Sequence, residues 1–200
     1  DVLGLHAYDG HLRDKDIEVR KSRCDEAFQP VQAMADALKT KGFRTPVIVA
    51  GGSPTFPIHA MRENVECSPG TFVYWDAGYS DALPEQAFLP AAVVITRIVS
   101  KPTDDTICID LGHKSVASEN PLDKRIRFLN ATGLEPVSQS EEHMVLRTSG
   151  TQSFSIGDVL YGVPYHICPT CALYDAMSIV TKGHASDRWP ITARGRRISI

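Results

Sequence analysis

The apolar positions of this 200-residue chain follow two different patterns, one on each side of a boundary near Ala82–Leu89. Before it, strand-like runs alternate with helical spacing. Asp1–Tyr8 reads as a buried strand closed by the turn Asp9-Gly10. Within Lys15–Lys41, Val31, Met34, Ala35 and Leu38 recur at three- and four-residue intervals, which predicts one long helix. Gly42 suits its C-terminal end, after Lys39 and Lys41. Thr45–Ala50 is a continuous apolar run of the kind buried on both faces in a parallel sheet. A tight loop, Gly51–Thr55, leads to a short helix over Pro57–Glu63, and Gly70–Trp75 (GTFVYW) reads as a further strand. This β-α-β-α-β order predicts a parallel α/β unit.

From Phe88 onward the runs become short and strand-like: AAVVITRIVS, TICIDL, RIRFLN, HMVLR and DVLYGV. Turn signals separate them at Lys101-Pro102, Asn120-Pro121, Thr148–Gly150, Gly157-Asp158 and Lys182-Gly183. This half predicts an antiparallel β domain, a barrel or sandwich, without a long helix. The expected division is 1–85 for the α/β part and 86–200 for the β domain.

Hydrophobic residues make up 42% of the chain and charged residues 22%, with a net charge of −3. That balance carries no mark of a nucleic-acid or anionic-membrane partner, and no apolar run approaches the roughly 20 residues of a membrane helix. Arg194, Arg196 and Arg197 read as a short solvated tail. The chain opens on apolar residues with no methionine or cap before them, so a natural N-terminal portion is expected upstream. Five scattered cysteines, three of them in apolar runs (Cys24, Cys67, Cys108), fit a reducing cytoplasm better than a disulfide framework.

The densest chemistry is Pro164–Cys171, PYHICPTC. On an extended segment His166 and Cys168 point to one face, and imidazole with thiolate suits Zn²⁺. Two ligands do not close a tetrahedral site, and C-x-x-C is also the spacing of a redox pair. No helix pattern follows to lower a thiol pKa, which argues against the redox reading. Cys171 is expected to face elsewhere along an extended chain and not to be a ligand.

Gly51–Thr55 follows a buried strand and precedes a helix. It reads either as a phosphate cradle built from backbone N–H groups and the hydroxyls of Ser53 and Thr55, or as an ordinary β-to-α turn. It lacks the lysine of a nucleotide-binding loop. His6, Tyr8, Asp9 and His11 crowd the end of the first strand, where they either face a site or satisfy local turns. Ser140–Met144 (SEEHM) sets His143 beside two carboxylates, either a proton-transfer group or a solvated strand edge. Lys114, in DLGHKS, reads as an exposed lysine, since a Schiff base needs a desolvated pocket.

Taken together, the opening GLHAYDGH, then GGSPT, ECSPGTFVYWD, DLGHKS, SEEH and PYHICPTC, in this order and over nearly the whole chain, resemble the D-threonine aldolase / D-serine dehydratase-like family of pyridoxal-phosphate enzymes. The resemblance implies an alanine racemase-like fold. The chain would then hold the C-terminal half of a pyridoxal-phosphate-binding α/β (TIM-type) barrel, followed by an antiparallel β domain. It also implies that Gly51, Gly52, Ser53 and Thr55 hold the cofactor phosphate, and that Tyr8 lies near the cofactor ring. His166 and Cys168 would bind a divalent metal, with cysteine leaning toward zinc. His143 is the candidate proton-transfer residue. The family's cofactor-bonded lysine lies near the N-terminus of the full chain, outside these residues.

The activity implied is that of a lyase on small D-3-hydroxy amino acids, a D-threonine aldolase or D-serine dehydratase type, working as a cytoplasmic homodimer. Two alternatives stay open: a metal-independent amino-acid racemase of related fold, which does not need His166 and Cys168 to meet, and a non-catalytic pyridoxal-phosphate-binding protein, which would lack the β domain.

Overall fold

The computed structural model of the chain describes residues 3–44 and 46–197. The expected strand beginnings at Asp1 and Thr45 and the last residues Ile198–Ile200 lie outside the described residues. The chain forms two compact units, one of 1–75 with 79–89 and the other of 76–78 with 90–200.

The first unit is a parallel sheet in the order β1 (Gly4–Ala7), β2 (Val47–Ala50), β3 (Val65–Cys67). Helix α1 (Ile17–Thr40) packs on it. Asp16 caps α1 by accepting hydrogen bonds from the amides of Glu18 and Val19 at 2.8 and 3.2 Å, satisfying two of the donors a helix start leaves open. Gly42, at φ +84°, follows its other end. Phe28, Ala35, Ile48 and Ala50 form the buried helix–sheet core. Only one face of β2 is deeply buried. Ile48 and Ala50 are inside, Val49 is half-buried and Val47 is exposed, so the expected double-sided burial gives way to alternation.

The expected strand at Gly70–Trp75 is instead a 3₁₀ turn over Thr71–Val73, and the third strand is the more polar Val65–Cys67. The aromatic run looked strand-like because aromatic residues favour strands. Here those rings build a cluster instead: Trp75, fully buried at φ +53°, stacks on Tyr79 and meets Phe88, which meets Phe56 and Phe72. The short helices α2 (Phe56–His59) and α3 (Ala77–Ala82) complete the elements on this side of Leu89.

The second unit is antiparallel throughout its sheets. Strands β4 (Val94–Thr103), β5 (Thr106–Ile109), β6 (Ile126–Phe128), β7 (Leu134–Gln139), β8 (Met144–Thr148) and β9 (Val159–Pro164) form one sheet in the order β6-β9-β4-β5-β8-β7. Along β4, Val94, Thr96 and Ile98 face inward and their neighbours outward, the period of two that a half-buried strand requires. Val94 and Ile98 join Ile107, Ile109, Met144, Leu146 and Leu160 in one core. A separate hairpin, β10 (Ala176–Thr181) with β11 (His184–Pro190), turns at Lys182-Gly183. Helix α4 (Ile167–Cys171) is the α-helix between β9 and this hairpin. Arg194 is not a free tail residue: its Nε donates to the Ala172 carbonyl at 2.9 Å and its guanidinium pairs with Asp175.

Candidate functional sites

In the first unit, the end of β1 and the turn after β2 meet in a buried hydrogen-bonded network. Asp9 accepts from the Thr55 hydroxyl at 2.6 Å and pairs with His59 Nε2 at 2.8 Å. Arg62 Nε donates to His59 Nδ1 at 3.3 Å, so the ring's own proton sits on Nε2 and is donated to Asp9. The Arg62 guanidinium continues to Asp25 at 2.6 Å and covers the Phe28 ring. Burial alone would raise the Asp9 pKa. The hydrogen bonds from His59 and Thr55 outweigh it and hold the carboxyl below its usual range.

Cys24 Sγ lies 3.2 Å from His59 Nε2 and 3.7 Å from Asp9 Oδ2. The ligand-type atoms of Asp9, Cys24 and His59 fall within 4.8 Å of one another, a donor set that could hold a metal ion. As folded, it is satisfied by hydrogen bonds. Burial pushes the Cys24 thiol up to about 11, and Arg62 already brings a positive charge against both Cys24 and His59.

The network fixes the Gly51–Thr55 turn. Gly51 sits at φ +87°, and a Cβ there would lie 2.8 Å from the His59 ring. A Cβ on Gly52 would lie 2.8 Å from the Tyr8 ring, so Tyr8, although largely exposed, rests directly against the turn. The turn's own bonds run from the amides of Thr55 and Phe56 to the Gly52 carbonyl, at 3.1 and 2.9 Å. Among the described residues, the turn's backbone bonds do not use the amides of Gly51, Gly52 and Ser53. Ser53 Oγ accepts from the Thr71 amide and keeps its own proton to donate. Thr55 departs from expectation. Its hydroxyl is given to Asp9 and its amide to Gly52, so it braces the turn and has no donor left for a phosphate.

In the second unit, three sequence motifs come together around α4. The expected extended path through His166 and Cys168 is corrected: His166 is the extended N-cap residue (φ −139°, ψ 97°), and Ile167–Cys171 is helical. The two side chains nevertheless meet, since the His166 imidazole hydrogen-bonds Cys168. The other contact of the ring is Nδ1 with Glu119. The bond with Cys168 is the main reason His166 is raised to about 9; burial opposes it, and Glu119 adds to it. Thr170 locks this arrangement by donating to the His166 carbonyl at 2.8 Å and accepting from the Ala117 amide at 3.1 Å. Tyr174 donates to the Ser115 carbonyl at 2.7 Å, and buried Asp76 accepts from the Ile167 amide at 3.0 Å.

Because α4 is a helix, Cys168 and Cys171 stand three apart on one face, contrary to the extended-chain expectation. The C-x-x-C pair therefore lies within a short helix that the sequence pattern does not predict, while the next element after it is β10. DLGHKS and SEEH also meet. The His113 and Lys114 amides donate to the Ser140 and Glu141 carbonyls, and a Cβ on Gly112 would lie 2.0 Å from the Glu141 carbonyl oxygen. Lys114 is exposed and paired with Glu142 at 2.7 Å and Glu141 at 3.0 Å, which raises its pKa and keeps it an ammonium. Both carboxylates of SEEH therefore serve Lys114. His143 closes the hairpin turn through its carbonyl, with its side chain exposed.

Sequence reasoning missed Glu119, His59 and Arg62. Glu119 carries no spacing signal. His59 lies four residues after Thr55, one helical turn on, the single sign that both could address Asp9.

A parallel α/β sheet followed by an antiparallel β domain is the architecture of alanine racemase-like proteins. The chain superposes on such a protein from Idiomarina loihiensis with a TM-score of 0.75 at 18% identity, covering 94% of this chain and 55% of that one. Residues 91–180 match the putative serine dehydratase domain model. The chain is 30% identical to a D-threonine aldolase from Arthrobacter over 98% of its own length and 52% of the relative's. It is 25% identical to a 3-hydroxy-D-aspartate aldolase from Paracoccus denitrificans, over 96% and 51%. The crystal structure of D-threonine aldolase from Filomicrobium marinum superposes with a TM-score of 0.83 at 26% identity, covering 96% of this chain and 53% of that one. The chain is similar to the D-threonine aldolase / D-serine dehydratase-like family over nearly its whole length, and it spans about half the length of the curated relatives it matches.

Proposed function

We propose that the whole protein is a pyridoxal-phosphate- and divalent-metal-dependent lyase acting on D-3-hydroxy amino acids, a cytoplasmic homodimer to which this chain contributes phosphate-binding and metal-binding residues. The observation that carries the reading is the meeting of His166 and Cys168, held by Glu119. Imidazole plus thiolate is a zinc donor pair, and a carboxylate hydrogen-bonded to the imidazole is a partner such ligands commonly have. A D-threo-3-hydroxyaspartate dehydratase of the same fold supports it. Its structures include a metal-free form with a cysteine replaced by alanine and one with a histidine two positions earlier replaced. That spacing is the one between His166 and Cys168.

The glycine turn fits a phosphate: two glycines bring the backbone close, three amides are not used by the turn, and Ser53 has a proton to give. Bound there, pyridoxal phosphate supplies an electron sink for the substrate's α-carbon. A zinc ion held by His166 and Cys168 supplies a Lewis acid for the 3-hydroxyl. Gly51, Gly52 and Ser53 bind the phosphate, Tyr8 lies beside the ring, Glu119 holds the His166 imidazole in its ligating orientation, and exposed His143 carries the proton transfer.

The racemase alternative requires no meeting of His166 with Cys168, and the non-catalytic alternative has no use for the β domain. Metal analysis of the full-length protein with product assays on D-threonine and D-serine tests the proposal. Zinc at one per chain and chelator-sensitive cleavage or dehydration are expected. A metal-free protein that racemises these substrates, or leaves them untouched with pyridoxal phosphate and zinc supplied, overturns it. No helix among the described residues is long and apolar enough to cross a membrane.

A further inference from the structure

We propose that Cys168 and Cys171 form a reversible intrachain disulfide when the protein meets a peroxide, and that this bond disables the metal ligand pair. The second clause rests on the metal reading above; the first does not.

The geometry singles out these two thiols. Residues three apart on a helical turn have β-carbons about 5–6 Å apart, and a disulfide needs about 3.5–4.5 Å, an adjustment within reach of a five-residue helix such as α4. Cys168 is exposed and Cys171 half-buried, while Cys24 is fully buried. Cys168 also sits against the His166 imidazole at the start of α4. An exposed attacking thiol with a second thiol poised behind it is the arrangement of a redox-responsive pair.

The chemistry balances with hydrogen peroxide as oxidant. The Cys168 thiolate attacks one peroxide oxygen, giving a sulfenic acid and releasing hydroxide, which takes up the thiol's proton as water. The Cys171 sulfur then attacks the sulfenic sulfur; the S–S bond forms and a second water leaves. Two thiols and one peroxide become one disulfide and two waters. A dithiol reductant reverses the bond by exchange. The oxidised Cys168 sulfur has no thiolate to give a metal, so His166 is left without its companion ligand.

The test uses the full-length protein, chelator-treated or zinc-loaded, exposed to hydrogen peroxide and trypsinised without reduction. Peptide Thr148–Lys182 contains Cys168 and Cys171 and no other cysteine. It should lose two hydrogens in mass in the chelated sample, recover them with dithiothreitol, and resist oxidation when zinc is bound. Cys171→Ser should abolish the mass loss while the reduced variant keeps its zinc. A wild-type peptide that goes only to sulfinic or sulfonic acid, or links to another cysteine, overturns the disulfide. A disulfide that forms equally fast with and without zinc, in a protein whose zinc survives Cys168→Ser, overturns the metal clause and the metal reading beneath it while leaving the disulfide standing.

Discussion

Replacing Asp9 by Asn keeps the size of a buried side chain and removes its charge, so it isolates what that carboxylate does. Asp9 accepts two short bonds, from Thr55 and from His59. Asn has one acceptor oxygen and must turn an NH₂ toward the other donor. A hydrogen bond to a charged group contributes about 1.5–3 kcal/mol, and a buried unsatisfied donor costs about 1–3 kcal/mol more. Loss of one such bond with its donor stranded predicts a destabilisation of roughly 2.5–6 kcal/mol. For a cooperative unit of about 150–250 residues that is a melting-temperature drop of roughly 5–24 °C. The sign with pH follows from the lowered pKa of Asp9. Its stabilisation is fully present above the unfolded value, near 3.8, and is lost as pH falls through the lower folded value. The gap between wild type and Asp9→Asn should therefore be flat from neutral pH down to about 5 and close only in stronger acid. The assay is thermal and urea unfolding of the full-length protein across that range, with Thr55→Val and the double variant completing a cycle. An Asp9→Asn protein that melts with wild type at neutral pH, or a Thr55 coupling below about 0.5 kcal/mol, refutes the bracing argument.

Other substitutions read other parts of the molecule. His166→Ala and Cys168→Ala should each remove the bound zinc from the full-length protein, seen by metal analysis, with unfolding little changed; zinc retained in both would place the metal elsewhere. Gly112→Ala forces a Cβ onto the Glu141 carbonyl oxygen at 2.0 Å, and overpacking against backbone should cost about 1–3 kcal/mol in urea melts. Lys114→Ala removes only exposed ion pairs, so its urea midpoint should stay close to that of wild type while pyridoxal-phosphate binding, followed by absorbance, persists. His143→Asn should lower kcat at unchanged melting temperature; unchanged kcat would reduce the hairpin histidine to a turn residue.

Legibility differed with how local the signal was. The α1 pattern, its Gly42 end and the alternation of β4 are written in neighbouring residues, and the structure follows them. Gly70–Trp75 was misread because five apolar or β-favouring residues in a row describe a buried segment without saying which kind. Only the packing of Trp75 against Tyr79 and Phe88 turns it into an aromatic cluster. The Gly51–Thr55 turn is visible as glycines after a strand. Its support was not, because Asp9, Thr55 and His59 are far apart in sequence and none has a pattern until the fold joins them. Glu119 shows the same limit: forty-seven positions separate it from His166.

The His166–Cys168 pair shows how an expected side-chain contact can arise from a different local geometry. The period of two along a strand predicts that residues i and i+2 share a face, and the two side chains do meet. They meet because the chain leaves β9 at Pro164, bends at Tyr165, is extended at His166 and then turns into α4. Pro169 is compatible with that turn, since a proline in the first turn of a helix lacks only an N–H that would be unpaired anyway. Read as a helix start, the same letters carry a second meaning. The strand reading excludes Cys171, whereas the helical reading places it on the face of Cys168. Whether Cys171 shares a face with Cys168 is thus decided by one backbone transition, and in this chain that transition brings in the second sulfur-bearing position of PYHICPTC.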